Sequence, residues 1–171
     1  MPDSVLVWLG VAVVLVVVAS FGLPVLFGPP YVPTLRLNMK SALDLLDLKP
    51  GQTLLDLGSG DGRVLVEGAK RGLNVVGIEL SLFLVVASWL RTRKYRKQVK
   101  IIWGNYFYTT WPPADGVFSF MIQYQMKRLD QAVSRWQQWN KHPVRLASFA
   151  FQIPDKKAIE ERDAVFLYEY K

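Results

Sequence analysis

Between Leu54 and Val64 the chain reads LLDLGSGDGRV, an apolar run broken by glycines at 58, 60 and 62, with carboxylates at Asp56 and Asp61. Glycine reaches positive φ without steric cost and carries no Cβ, so a ligand can lie against such a backbone. A second apolar run, NVVGIE, ends in Glu79, seventeen residues beyond Gly62. A carboxylate there can accept both hydrogen bonds of a ribose diol, as the acid of a dinucleotide site does. The alternating glycines differ from the G-x-G-x-x-G of dinucleotide sites, and Asp61 stands where an anionic pyrophosphate would lie. A carboxylate at that place suits a ligand with a cationic amino group. The pattern therefore favours S-adenosyl-L-methionine over a nicotinamide or flavin dinucleotide. The bland alternative is a tight turn beside a structural carboxylate.

The elements that must hold these residues alternate along the chain. Strands are expected at Thr53–Leu57, Asn74–Glu79, Val99–Trp103, Gly116–Ile122, Val144–Ile153 and Ala164–Tyr170, and helices at Gly62–Arg71, Ser81–Tyr95 and Lys127–Asn140. Strand, helix, strand, helix predicts an α/β domain with a doubly wound, Rossmann-like, mostly parallel sheet. One clear strand follows the fifth, so the sheet is expected to be shortened at its C-terminal end. In such a sheet ligands bind at the carboxyl ends of the strands, where Gly58, Gly60 and Gly62 fall. The apolar stretch Leu82–Leu90 is too short to cross a bilayer and is expected in the core.

Composition narrows the chemistry. The 171 residues include no cysteine and one histidine, His142, which excludes disulfides, thiolate or multi-histidine metal sites and a cysteine nucleophile. No metal ligand set is therefore assigned. The net charge of +7 suggests an anionic neighbour. Six of the ten residues in RTRKYRKQVK, Arg91 to Lys100, are basic. This reads as a solvated helix end or as a contact with anionic lipid, with nucleic acid not expected, since the run has one aromatic and no recognised module.

Between Asp3 and Arg36 there is no charge, and Val5 to Phe27 reads VLVWLGVAVVLVVVASFGLPVLF. A helix of that length spans about 34 Å, enough for a bilayer core of about 30 Å. A transmembrane anchor over residues 1–27 is expected, and the basic residues after it place the rest of the chain on the cytoplasmic side. GPPYVPT is a proline-stiffened linker and Thr34 a helix cap, so residues 28–50 form a linker and lid helix and residues 51–171 the main domain.

DLGSGDGR resembles motif I of the class I methyltransferases. PPYVPT and GLNVVGIELS resemble a narrower group, the membrane-anchored protein-lysine methyltransferases of the adenine nucleotide translocase and the ATP synthase c-subunit, with their prokaryotic relatives. The resemblance runs from about Gly28 to Trp136. It implies that Asp56, Gly58, Gly60 and Gly62 shape the methionine pocket and that Glu79 holds the ribose. Asn105, where the family usually has Asp, falls near the adenine; Ser59, Asp61, Leu80 and Tyr106 complete the expected cofactor contacts. Tyr31 and Pro33 match an element that folds over the cofactor and target amine. Gln123, in the IQYQ that stands where amino-methyltransferases carry an Asn/Asp-Pro-Pro-aromatic tetrad, is expected with Tyr31 to position that amine, and Tyr124 to line its channel. The function implied is transfer of a methyl group to a lysine of a membrane or membrane-associated protein. A methyltransferase for a lipid-soluble small molecule and a non-catalytic cofactor-binding scaffold remain as alternatives.

Overall fold

A computed structural model of the chain describes residues 4–15, 36–140 and 142–171. Residues 4–15 are helical (α1). They are followed by α2 (Arg36–Leu46), β1 (Thr53–Leu57), α3 (Arg63–Lys70), β2 (Asn74–Glu79), α4 (Leu82–Thr92) and β3 (Val99–Trp103). Then come β4 (Gly116–Ser119), α5 (Met126–Asn140), β5 (Val144–Phe149), β6 (Glu160–Arg162) and β7 (Val165–Tyr170).

The strands form one sheet in the order β3-β2-β1-β4-β5-β7-β6. The first five are parallel, while β7 runs antiparallel to both β5 and β6. Alternate residues of the inner strands feed two cores. Leu54, Val75, Phe118, Ala147, Val165 and Leu167 meet α2 and α3 on one face. Leu55, Ile78, Val117, Leu146, Phe166 and Tyr168 meet α5 on the other. Burial on both faces explains why the strands read as unbroken apolar runs.

Several expectations are corrected. Among the described residues no helix is long and apolar enough to cross a membrane. Residues 16–27 of the expected anchor, and the linker with Tyr31, Pro33 and Thr34, lie outside the described residues. The single-pass, cytoplasmic-side placement drawn from that anchor is overturned with it. The sheet is not shortened either: β6 supplies the missing strand, and its Glu-Glu-Arg is wholly exposed, so no apolar signal marks it. Strands β4 and β5 end earlier than expected, at Ser119 and Phe149, and the chain leaves β5 through Ala150 at φ 71°. Helix α2 buries Met39, Ala42, Leu43, Leu45 and Leu46 against the sheet, so it is a core element and not a lid. Helix α4 buries only Leu84, Ser88 and Thr92, leaving Leu82, Val86, Trp89 and Leu90 about half exposed or more, where a core stretch was expected.

Candidate active site at the carboxyl edge of the sheet

The strand order reverses between β1 and β4, the place where open α/β sheets take ligands. Four loops converge on that edge. After β1, Gly58, Gly60 and Gly62 adopt left-handed φ of 84°, 54° and 80°. The Gly58 and Ser59 N–H groups donate to the Ile78 carbonyl at 2.9 and 3.1 Å, drawing the loop over the end of β2. Gly77 makes this approach feasible, since a Cβ there would lie 2.6 Å from Ser59 Oγ. A glycine inside a strand signals such a close approach, and sequence reasoning passed over it.

Glu79 pins the cradle. Its Oε2 accepts from the Gly60 N–H and its Oε1 from the Ser81 N–H, both at 2.8 Å. Burial raises its pKa, while the N–H groups of Ser81, Gly60 and Leu80 pull the other way. Each carboxylate oxygen keeps a further lone pair, so a bridging Glu79 can still accept from a diol. Asp56, at the end of β1, is buried and its Oδ2 has no hydrogen-bond partner. Burial, with Glu79 and Asp61 nearby, pushes its pKa up to about 8. Ser59 Oγ is likewise buried without a partner. Orphaned buried acceptors are costly, and a ligand bearing ammonium or hydroxyl donors would relieve them. The cradle thus fits the chemistry of S-adenosylmethionine.

Asp61 is held within the protein. Arg63 holds its carboxylate through Nε at 3.1 Å and Nη2 at 2.9 Å, and Arg91 Nη1 pairs with it from α4. Its charge is engaged by two guanidinium groups, which leaves Asp56 as the buried carboxylate with an unpartnered oxygen. Leu80 is half-buried, and its carbonyl accepts from Trp103 Nε1 at 2.9 Å.

After β3, Asn105 builds its own turn: Oδ1 accepts from the Phe107 N–H, and its carbonyl accepts from the N–H groups of Tyr108 and Thr109, all at 2.9 Å. The turn buries Tyr106, whose ring lies 3.8 Å from where a Cβ on Gly58 would sit. Tyr106 donates its hydroxyl to Gln125 Oε1 at 3.1 Å, and burial pushes its pKa up to about 12. After β4, Gln123 and Tyr124 are exposed, whereas Gln125 is buried. The structure therefore places Gln125, rather than Gln123, at the sheet end beside Tyr106. A signal existed: Gln125 lies four residues before Leu129, on the apolar stripe of Met126, Leu129 and Val133. Ser119, fully buried at the end of β4 with no partner for its Oγ, was also missed. Tyr31 lies outside the described residues. His142 is exposed, beside Asn140 at the far edge of the sheet.

The sheet order, the glycine cradle after β1 and the acid closing β2 define a class I methyltransferase fold. The chain belongs to the family described as "ANTKMT methyltransferase domain", whose profile matches residues 56–160. It is 28% identical over 145 residues to the human ATP synthase c-subunit lysine N-methyltransferase, covering 82% of this chain and 61% of that protein. To the Caenorhabditis elegans protein of the same name it is 30% identical over 155 residues, covering 82% of this chain and 80% of the relative. A Xenopus laevis relative matches at 41% identity over 70 residues, so the chain spans only 30% of that protein's length. Among solved structures, an RNA methyltransferase from Salinibacter ruber in complex with S-adenosyl-L-homocysteine superposes with a TM-score of 0.71. The match is at 21% identity and covers 81% of this chain and 92% of that one. That likeness shows the fold.

Proposed function

We propose that the protein transfers the methyl group of S-adenosylmethionine to a lysine side chain of a protein. Family membership carries this reading, together with the lysine N-methyltransferase names of relatives matched over most of the chain. The cofactor, when bound, supplies an electrophilic methyl group on a sulfonium. The chain's own residues do the rest. The loop from Gly58 to Gly62 gives a backbone surface without obstructing side chains, Glu79 stiffens it and accepts from a ribose, and Asp56 accepts from an amino group. Asn105 and Tyr106 form the neighbouring wall. In-line displacement demands chiefly that donor and acceptor be held in line and dry.

A lysine ammonium must first lose a proton, at a cost of about 4–5 kcal/mol at pH 7. Beside a sulfonium, like-charge repulsion lowers that cost. Tyr106, kept neutral by burial and donating to Gln125, retains lone pairs on its hydroxyl with which to orient an amine.

The test uses the purified chain, radiolabelled S-adenosylmethionine and a cell extract. Label in a protein that yields methyl-lysine on hydrolysis is the expected result. Label confined to an organic extract would identify a lipid-soluble small-molecule substrate instead. Cofactor binding without any transfer would mark a non-catalytic scaffold.

A further inference from the structure

Arg128, in the first turn of α5, stands at the same edge of the sheet as the Tyr106–Gln125 pair. Its guanidinium carbon lies 4.0 Å from the Phe107 ring centroid and 5.1 Å from that of Tyr108. Phe107 in turn meets Tyr106 edge to face at 4.7 Å. A contiguous path therefore runs from the Gly58 cradle through Tyr106 and Phe107 to Arg128. Two exposed tyrosines, Tyr108 and Tyr124, border the same region.

The stacking leaves a specific capacity unused. The rings lie against the guanidinium carbon, and a guanidinium presents its N–H groups as a planar fork matched to carboxylate. Among the described residues no carboxylate pairs with Arg128, although Arg63 and Arg91 at the neighbouring loop are both committed to Asp61. A guanidinium already oriented by two rings loses less freedom when it takes a bidentate partner. It is also exposed, unlike the buried Asp56, Glu79 and Ser59 of the cradle, so it faces what approaches from outside.

What approaches is a cation, and the chain it approaches carries +7. A target that offered only its lysine would be repelled. We infer that Arg128 anchors a carboxylate of the target protein, an Asp or Glu close to the lysine to be methylated, with Tyr108 and Tyr124 flanking the contact. The inference rests on the lysine reading above. It makes Arg128 a specificity-determining residue: the carboxylate offsets the charge of the approaching segment and fixes where along it the amine is presented.

Peptides of eleven residues with one central lysine, differing by a single Glu or Gln at each flanking position, provide the test. With labelled cofactor, the wild-type chain should show a KM about tenfold lower for Glu at one or two offsets, with kcat little changed. Arg128→Gln should lose that preference while its affinity for S-adenosylhomocysteine and its melting temperature stay at wild-type values. Arg128→Glu should shift the preference to Lys or Arg at the same offsets. A preference that survives Arg128→Gln overturns the inference. Weakened cofactor binding by Arg128→Gln also overturns it, since Arg128 would then serve the cofactor's own carboxylate. Transfer to every peptide without regard to Glu removes the inference and leaves the lysine reading standing. Cofactor binding with no transfer to any peptide removes both.

Discussion

Asp56 and Glu79 carry the sharpest expectations at the scale of single residues. With a pKa of about 8 in the folded chain against an ordinary 3.8, Asp56 holds a proton that the unfolded chain has lost across that interval. Its contribution to stability is therefore complete below about pH 4 and lost as pH rises through about 8. Urea unfolding at pH 5, 7 and 9 should show stability falling with pH, and Asp56→Asn should flatten the slope. An unchanged slope would remove the buried acid as its source. The same proton couples to ligand binding. If an ammonium pairs with Asp56, affinity for S-adenosylmethionine should rise as pH approaches 8, with proton release detectable by calorimetry in buffers of different ionisation heat. For Glu79→Ala, loss of a charged acceptor is worth about 1.5–3 kcal/mol, or roughly ten- to a hundredfold in affinity. Calorimetry giving wild-type affinity would show that the loop binds no ribose. Their place at the ends of β1 and β2 was legible because apolar runs, glycines and terminal acids are all local signals. The clamp on Asp61 was not, since Arg91 reaches it across 30 positions.

Helix α4 and the motif loop form a unit at the scale of elements. A Cβ on Gly62 would fall 2.3 Å from Ser88 Oγ and 3.1 Å from Ser88 Cα, at a φ of 80° that side chains rarely adopt. Left-handed backbone costs about 1–2 kcal/mol for a residue with a Cβ, and the clash adds to it. Gly62→Ala should thus destabilise the domain by about 2–4 kcal/mol, and Ser88→Ala should restore part of that loss in a double-mutant cycle. Strictly additive effects would mean that the helix moves aside freely. The sequence showed the glycine but not its neighbour. It likewise showed an apolar stretch from Leu82 without revealing which side faces the sheet, because Leu82, Val86 and Leu90 look like core residues until the polar Ser88 and Thr92 are found buried in their place. Strand β6 escaped for the opposite reason: three charged residues pair by backbone alone with β7.

The whole molecule is closed by its last hairpin. Tyr170 donates to Asp130 on α5 at 2.7 Å, and Lys156 pairs with the same carboxylate at 3.1 Å while lying 3.4 Å over the Tyr170 ring. Burial and that carboxylate both push the Tyr170 pKa upward, so the phenol stays a donor. Asp130→Ala leaves the buried hydroxyl unpaired, which should cost about 1–3 kcal/mol. In a domain of this size that lowers Tm by several degrees, about 2–4 °C per kcal/mol. A scanning calorimeter that finds no shift would show that the hairpin is held by its apolar face alone. The parallel half of the sheet was readable from its alternating strands and helices. The antiparallel half was not, because the charged β6 gives no apolar signal and no crossover helix marks how β7 pairs with β5.

A contact between distant parts of the chain sets a schedule for synthesis. Helix α2 lies on β5 and β7, and Asn38 and Ser41 both bond to Asp163 in the turn before β7, more than 120 residues later. The first helix of the domain meets α3 early but completes its apolar contacts only once β5 and β7 have been made. A chain released before β5 and β7 would leave part of the face carrying Met39, Leu43 and Leu46 uncovered, the kind of surface that holding chaperones recognise. The packing of the first helix is thus finished only at the end of the domain's synthesis.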